Sequence, residues 1–137
     1  MSNMILPGID HLSIAARDPD KCADWYCTML GYRKIIKHDN KTWLIISPDK
    51  TMLAIMPCYE NPPIKRAASA AGFSHLALRT DDIKTAVKEL EKKGVVFISD
   101  YLPAAGGGTI RNFYDPEGNL LQLVERSEKY FLALKQV

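Results

Sequence analysis

Ile9-Asp10-His11-Leu12-Ser13-Ile14-Ala15 and Phe73-Ser74-His75-Leu76-Ala77-Leu78-Arg79 are two copies of one pattern, and reading them decides the fold. Each alternates as a β-strand does and places a histidine third. Each then runs into an acidic helix start and a helical stretch that ends near a glycine, Gly31 or Gly94. Pro48-Asp49-Lys50 echoes Pro116-Glu117-Gly118 as a turn before a further strand. The 137 residues therefore read as one unit used twice. Symmetry that brings repeats together makes equivalent positions converge, so His11 and His75 are candidate co-ligands of one metal.

Outward from the first copy, a strand is expected over 8–15. Asp18 is a good N-cap, Pro19 suits the first helical position, and Gly31 ends the helix. Strands over 32–38, 42–47 and 51–56 complete the first unit, about 7–57. Residues 58–72 change to Asn-Pro-Pro, the basic pair Lys65-Arg66 and alanines, which reads as a linker suited to a crossover. The second unit, about 73–126, repeats the order: strand 73–80, helix 82–93, then strands over 95–101, 109–114 and 119–125. Gly106-Gly107-Gly108 reads as a flexible loop, since it lacks the lysine and following helix of a phosphate loop. The tail, 127–137, is expected to add a helix through Tyr130, Phe131 and Leu134. The fold class is α+β: two tandem βαβββ units in a single domain, each helix covering one face of its sheet, forming half-open barrel clefts.

A composition of 47% hydrophobic and 25% charged residues is that of an ordinary globular chain with enough apolar material for a core. Net charge is +2 and the basic residues are dispersed, so neither nucleic acid nor membrane is expected as a partner. Residues 1–7, with neither a basic region nor a long apolar run, are not expected to be a signal peptide. Cys22, Cys27 and Cys58 are an odd number without metal-site spacing, which points to inert thiols in a reducing cytoplasm, with at least one of the helix pair facing the core.

The residues also resemble a known superfamily, the vicinal oxygen chelate proteins, which include glyoxalase I, fosfomycin resistance proteins, extradiol dioxygenases and bleomycin-binding proteins. The resemblance is carried by His11, Asp24-Trp25-Tyr26, Leu30-Gly31-Tyr32, Phe73-Ser74-His75-Leu76-Ala77 and 112–119, Asn-Phe-Tyr-Asp-Pro-Glu-Gly-Asn. It implies metal ligands on the first and last strands of each unit. His11 and His75 fill the first-strand positions. The last-strand ligand, usually glutamate, falls on Gln122 here, and its equivalent in the first unit is Ala54. The expected metal set is therefore His11, His75 and Gln122, holding zinc, manganese, nickel or iron.

Strand parity assigns much of the rest of the face, and the repeat together with the resemblance to the fosfomycin resistance proteins implies that Asn112, with Tyr114 beside it, also points in. Residues 122 and 124 share a side, so Glu125 points the other way and reads as a solvated charge at a strand end. Ser13, Met52, Met56, Asn112 and Tyr114 are candidate substrate contacts, and Arg79 is a candidate contact for an anion. Arg111 is expected to face away, and His38 to lie on the surface. One wall is apolar and rich in methionine; the other carries amides and the histidines.

The function these expectations favour is a glyoxalase-like small-molecule enzyme. Its divalent metal would stabilise an enolate or alkoxide in lyase, isomerase, epimerase or epoxide-opening chemistry. Glyoxalase I itself is disfavoured, because the family implies four ligands with glutamates for that reaction, and extradiol dioxygenation is disfavoured without the carboxylate. The alternative is a metal-free binding protein of the bleomycin-sequestering type, which needs only the cleft. The resemblance also implies a homodimer.

Overall fold

The computed structural model describes residues 5–60 and 67–137. The chain divides into two compact units, Met1–Ile64 and Lys65–Val137, a boundary that falls inside the expected linker. Lys65 and Arg66 lie outside the described residues.

In the first unit, β1 (His11–Ala16) is followed by α1 (Pro19–Leu30), β2 (Arg33–Lys37), β3 (Trp43–Ile46) and β4 (Met52–Pro57). The sheet order is β1-β4-β3-β2, with β1 and β4 parallel and the other pairs antiparallel. Helix α1 starts where the local chemistry places it. The Asp18 carboxylate accepts from the Lys21 N–H at 3.1 Å, Pro19 occupies the first turn, and Gly31 closes the helix with φ +76°, a left-handed conformation that suits glycine. Cys22, Ala23 and Tyr26 of α1 are buried with Ile14, Ala16, Ile45, Leu53 and Ile55. The remainder of that face is polar at its rim: Trp43 Nε1 donates to Asp20 at 2.7 Å, and Lys37 Nζ donates to the same carboxylate at 3.0 Å.

In the second unit, β5 (Leu76–Arg79) leads to α2 (Ile83–Lys92), β6 (Leu102–Pro103), β7 (Gly108–Tyr114), β8 (Leu120–Arg126) and α3 (Glu128–Leu134). The order β5-β8-β7-β6 reproduces the first sheet's topology, parallel pair included. Ile83, Val87 and Leu90 of α2 are buried, as are Phe113, Leu121 and Leu123. Both sheets keep two edge strands, so neither closes into a barrel on its own.

Two expectations about the chain's local structure are corrected here. Residues 95–101 are not a strand: the Ile98 N–H donates to the Asn112 carbonyl at 2.9 Å, but only Leu102 and Pro103 form ladder pairs with β7. The hydroxyl of Ser99 accepts from the Asn112 N–H at 3.0 Å, and the Ser99 carbonyl accepts from Arg111 Nε at 2.9 Å. Side chains thus take positions that a ladder would use, and the segment follows β7 without regular pairing. The glycine triplet is a tight turn rather than a flexible loop. Gly106, Gly107 and Gly108 all have positive φ, and a Cβ on Gly108 would overlap the Glu125 carbonyl oxygen.

Candidate functional site

Pairing registers define the sheet face that each unit's own helix leaves open. In the first unit His11 pairs with Met52, Ser13 with Ala54, Ala15 with Met56, and Leu44 with Ala54. One face therefore carries His11 and Ser13 beside Met52, Ala54, Met56 and Leu44. From Ser13 onward the burial of β1 alternates accordingly, with Ile14 and Ala16 buried and Ser13 and Ala15 exposed; His11 and Leu12 at its start are both exposed.

In the second unit Ala77 pairs with Gln122, Arg79 with Val124, Asn112 with Gln122, Ile110 with Val124, and Tyr114 with Leu120. His75 immediately precedes β5, and by alternation it stands on the face of Ala77. The registers make the repeat concrete. Ser13 pairs with Ala54 as Ala77 pairs with Gln122, and each histidine sits two residues before its strand's member of that pair. Ala54 and Gln122 are equivalent positions.

Both histidines are held in the same way. His11 Nδ1 lies 2.8 Å from Oδ2 of Asp10, and His75 Nδ1 lies 2.9 Å from Oγ of Ser74. An ionised carboxylate only accepts, so Nδ1 of His11 carries the proton and, in the neutral ring, Nε2 carries the lone pair. Each Nδ1 is thus occupied by the side chain of the preceding residue, which leaves Nε2 as the atom for a further partner. The His11 side chain remains 43% exposed.

On the second face Gln122 Nε2 donates to Asn112 Oδ1 at 3.1 Å. This cross-strand bond fixes both amides and directs Gln122 to offer its Oε1 and Asn112 its Nδ2. No Asp or Glu occupies a paired position on either open face. Among the described residues, no group of three His, Cys, Asp or Glu side chains could hold a metal ion. The donors in hand are therefore His11 on the first sheet, and His75 with the amide of Gln122 on the second.

The remaining expected residues are accounted for by their surroundings. Arg79 is exposed, with its guanidinium carbon 6.0 Å from the centre of the Tyr130 ring. Arg111 stacks on the other side, 5.0 Å from Phe97 and 4.7 Å from Tyr101. Glu125 also belongs to the helix side. It is not a solvated strand-end charge, because its Oε1 accepts from the Ile83 N–H. His38 sits in a surface turn with Asn40. Sequence alone assigns Arg126 and Tyr130 no functional role. Arg126 was legible by parity, two residues beyond Val124, but its convergence with Tyr130 depends on where α3 lies.

These features define a class: an α+β protein made from a duplicated βαβββ unit, with an accessible histidine at the start of each unit and a polar amide pair on the second. The model of the Glyoxalase/Bleomycin resistance protein/Dioxygenase superfamily matches residues 8–123, and the chain belongs to that superfamily. It is 27% identical over 125 residues to a probable lactoylglutathione lyase of Synechocystis sp., covering 87% of this chain and 95% of that one. It is 24% identical over 123 residues to a lactoylglutathione lyase of Arabidopsis thaliana, covering 85% of this chain but only 43% of the plant protein. The chain thus spans less than half of that relative.

Among solved structures, a superfamily member from Sphaerobacter thermophilus matches with a TM-score of 0.73 at 26% identity, covering 90% of this chain and all of that one. A mutant of the fosfomycin resistance protein FosX from Listeria monocytogenes, complexed with Mn(II) and a dihydroxypropylphosphonic acid, matches with a TM-score of 0.72. It covers 95% of this chain and 99% of that chain. Its identity is 16%, so that likeness is one of fold.

Proposed function

We propose that the protein is a glyoxalase-like small-molecule enzyme whose divalent metal is taken by His11, His75 and Gln122. The observation that carries this reading is the matched pair of histidines, each with Nδ1 tied to the preceding side chain and Nε2 left for a ligand. The donor set fits a divalent cation with nitrogen and oxygen preferences, such as zinc, manganese, nickel or iron. When bound, the metal supplies Lewis acidity to an enolate- or alkoxide-forming reaction of the lyase, isomerase, epimerase or epoxide-opening kind.

The chain's own groups do the rest. Asp10 and Ser74 orient the imidazoles. Asn112 presents an amide donor to a substrate oxygen, and its bond to Gln122 keeps both amides from rotating. Ser13 and Tyr114 add hydroxyls, while Met52 and Met56 give an apolar, adaptable bed for a non-polar substituent. With Ala54 and Gln122 at the equivalent last-strand positions, no acidic residue occupies a paired position on these faces, and the Asp10 carboxylate is engaged by His11 Nδ1. That separates this donor set from the four-ligand arrangement implied for glyoxalase I.

Metal analysis of the protein purified without chelator, followed by removal and readdition, tests the reading. Near-stoichiometric transition metal supports it. Protein that takes up none of the four metals contradicts it and leaves the rival, a metal-free binding protein, which the absence of acidic residues from the paired positions of the open faces favours. The same reading includes assembly as a homodimer, and sedimentation showing only monomer at micromolar concentration would refute that part.

A further inference from the structure

Arg79 and Arg126 share the open face of the second sheet. Arg79 pairs with Val124, and Arg126 follows Val124 by two residues on the same side of β8. Helix α3 sets Tyr130 against both: the guanidinium carbons lie 6.0 Å and 4.4 Å from its ring centre. Arg126 Nη1 also donates to the Ala105 carbonyl, which anchors the side chain without neutralising it. Neither guanidinium forms an ion pair with a carboxylate among the described residues. Two like charges are gathered on one aromatic ring, at the end of a face whose paired positions hold no acid.

We infer that Arg79 and Arg126 form an oxyanion subsite on this face. Its ligand is the carboxylate, phosphate or phosphonate of a small organic acid whose remainder lies toward Asn112 and Gln122. A guanidinium presents a planar fork that matches two oxygens of such a group, which a lone ammonium does not. Both guanidinium groups lie within 6.0 Å of the Tyr130 ring centre, and a side chain already packed on a ring loses less freedom on binding. The distance fits a small molecule. Val124, opposite Arg79, and Gln122 are two strand positions apart, about 7 Å. The inference rests on the proposal that this face binds a small-molecule substrate, and it adds the substrate's charge.

The test is calorimetric titration with phenylphosphonate and with its neutral diethyl ester, on the parent and on Arg79→Gln, Arg126→Gln and Arg79→Lys. Manganese affinity is measured in parallel. Phenylphosphonate should bind the parent, about tenfold more weakly to each glutamine variant and with intermediate strength to the lysine variant, while the ester binds to none. Arg126→Gln also removes the bond to Ala105, so Arg79→Gln alone decides the matter if the other fails to fold. No binding of phenylphosphonate to the parent, or equal binding to parent and Arg79→Gln, overturns the subsite. The metal reading stands or falls separately. Arginine-dependent phosphonate binding by a protein that takes no manganese supports the subsite and counts against manganese, whereas manganese binding without it rejects the subsite alone.

Discussion

Oε1 of Glu125 accepts a hydrogen bond of 3.0 Å from the backbone N–H of Ile83, the first residue of α2. The last strand of the second unit thereby supplies an acceptor to a helix start 42 residues earlier in the chain. Asp82 supplies another, accepting from the Thr85 N–H at 3.1 Å. Two carboxylates at a helix N-terminus satisfy otherwise unpaired donors and complement the helix dipole.

Glu125→Ala should therefore destabilise the protein by about 1 kcal/mol, the usual cost of losing a capping acceptor. Divalent metal affinity should stay within about threefold of the parent, a shift of less than ~1 kcal/mol. Denaturant unfolding with a parallel metal titration reads both. A tenfold loss of metal affinity would place Glu125 on the open face and contradict the register.

Gly108→Ala tests the turn between β6 and β7. The residue has φ +120°, and an added Cβ would meet the backbone of Glu125 and Arg126 rather than a movable side chain. A loss of at least ~2 kcal/mol is expected from strain and local displacement of β8. A variant as stable as the parent would mean that the close approach is absent in solution.

Much of the fold was legible because its signals are local. Asp18, Pro19 and Gly31 delimit α1 through their own backbone chemistry, and the two histidine-bearing strands announce the repeat. Parity also placed Glu125 away from Gln122. What lay beyond reading were choices made by distant partners. Ser99 takes the N–H of Asn112, which removes a strand that the repeat had suggested. Glu125 finds Ile83, and Tyr130 gathers Arg79 and Arg126, only once α2 and α3 are docked. Gly106-Gly107-Gly108 looked mobile because glycine tolerates many conformations, yet here positive φ and a close backbone approach require it.

Three exposed aspartates hold their protons less tightly than usual. Donors from Trp43 and then Lys37 lower Asp20, a donor from Ser47 and then Thr51 lowers Asp49, and the Thr85 side chain and N–H lower Asp82. A carboxyl with a depressed folded-state pKa stabilises above its unfolded value, and that contribution disappears as pH falls through the folded value. Carbon-detected NMR titration should give midpoints below the ordinary 3.8 for all three. Stability should decline from that pH downward, and less steeply in Asp82→Asn. Midpoints at or above the ordinary value would contradict the hydrogen bonds described.

Gln122→Glu should strengthen divalent metal binding. The change is nearly isosteric and adds a negative charge beside the cation while keeping an oxygen donor. An affinity gain of at least about tenfold is expected from charge-assisted ligation, increasing as pH rises past the usual histidine value of about 6.5. A variant that binds zinc, manganese and nickel no better than the parent would remove Gln122 from the ligand set.

The most direct measurement is a manganese and zinc titration of His11→Ala, His75→Ala and the double variant, each checked for folding by circular dichroism. If the histidines share one ion, each single variant loses most of the affinity and the double variant loses little more, because the second change removes a ligand from a site already broken. That strongly non-additive result is the one predicted. Independent losses that add in free energy, or single variants that bind as the parent does, would show that His11 and His75 do not hold a common metal.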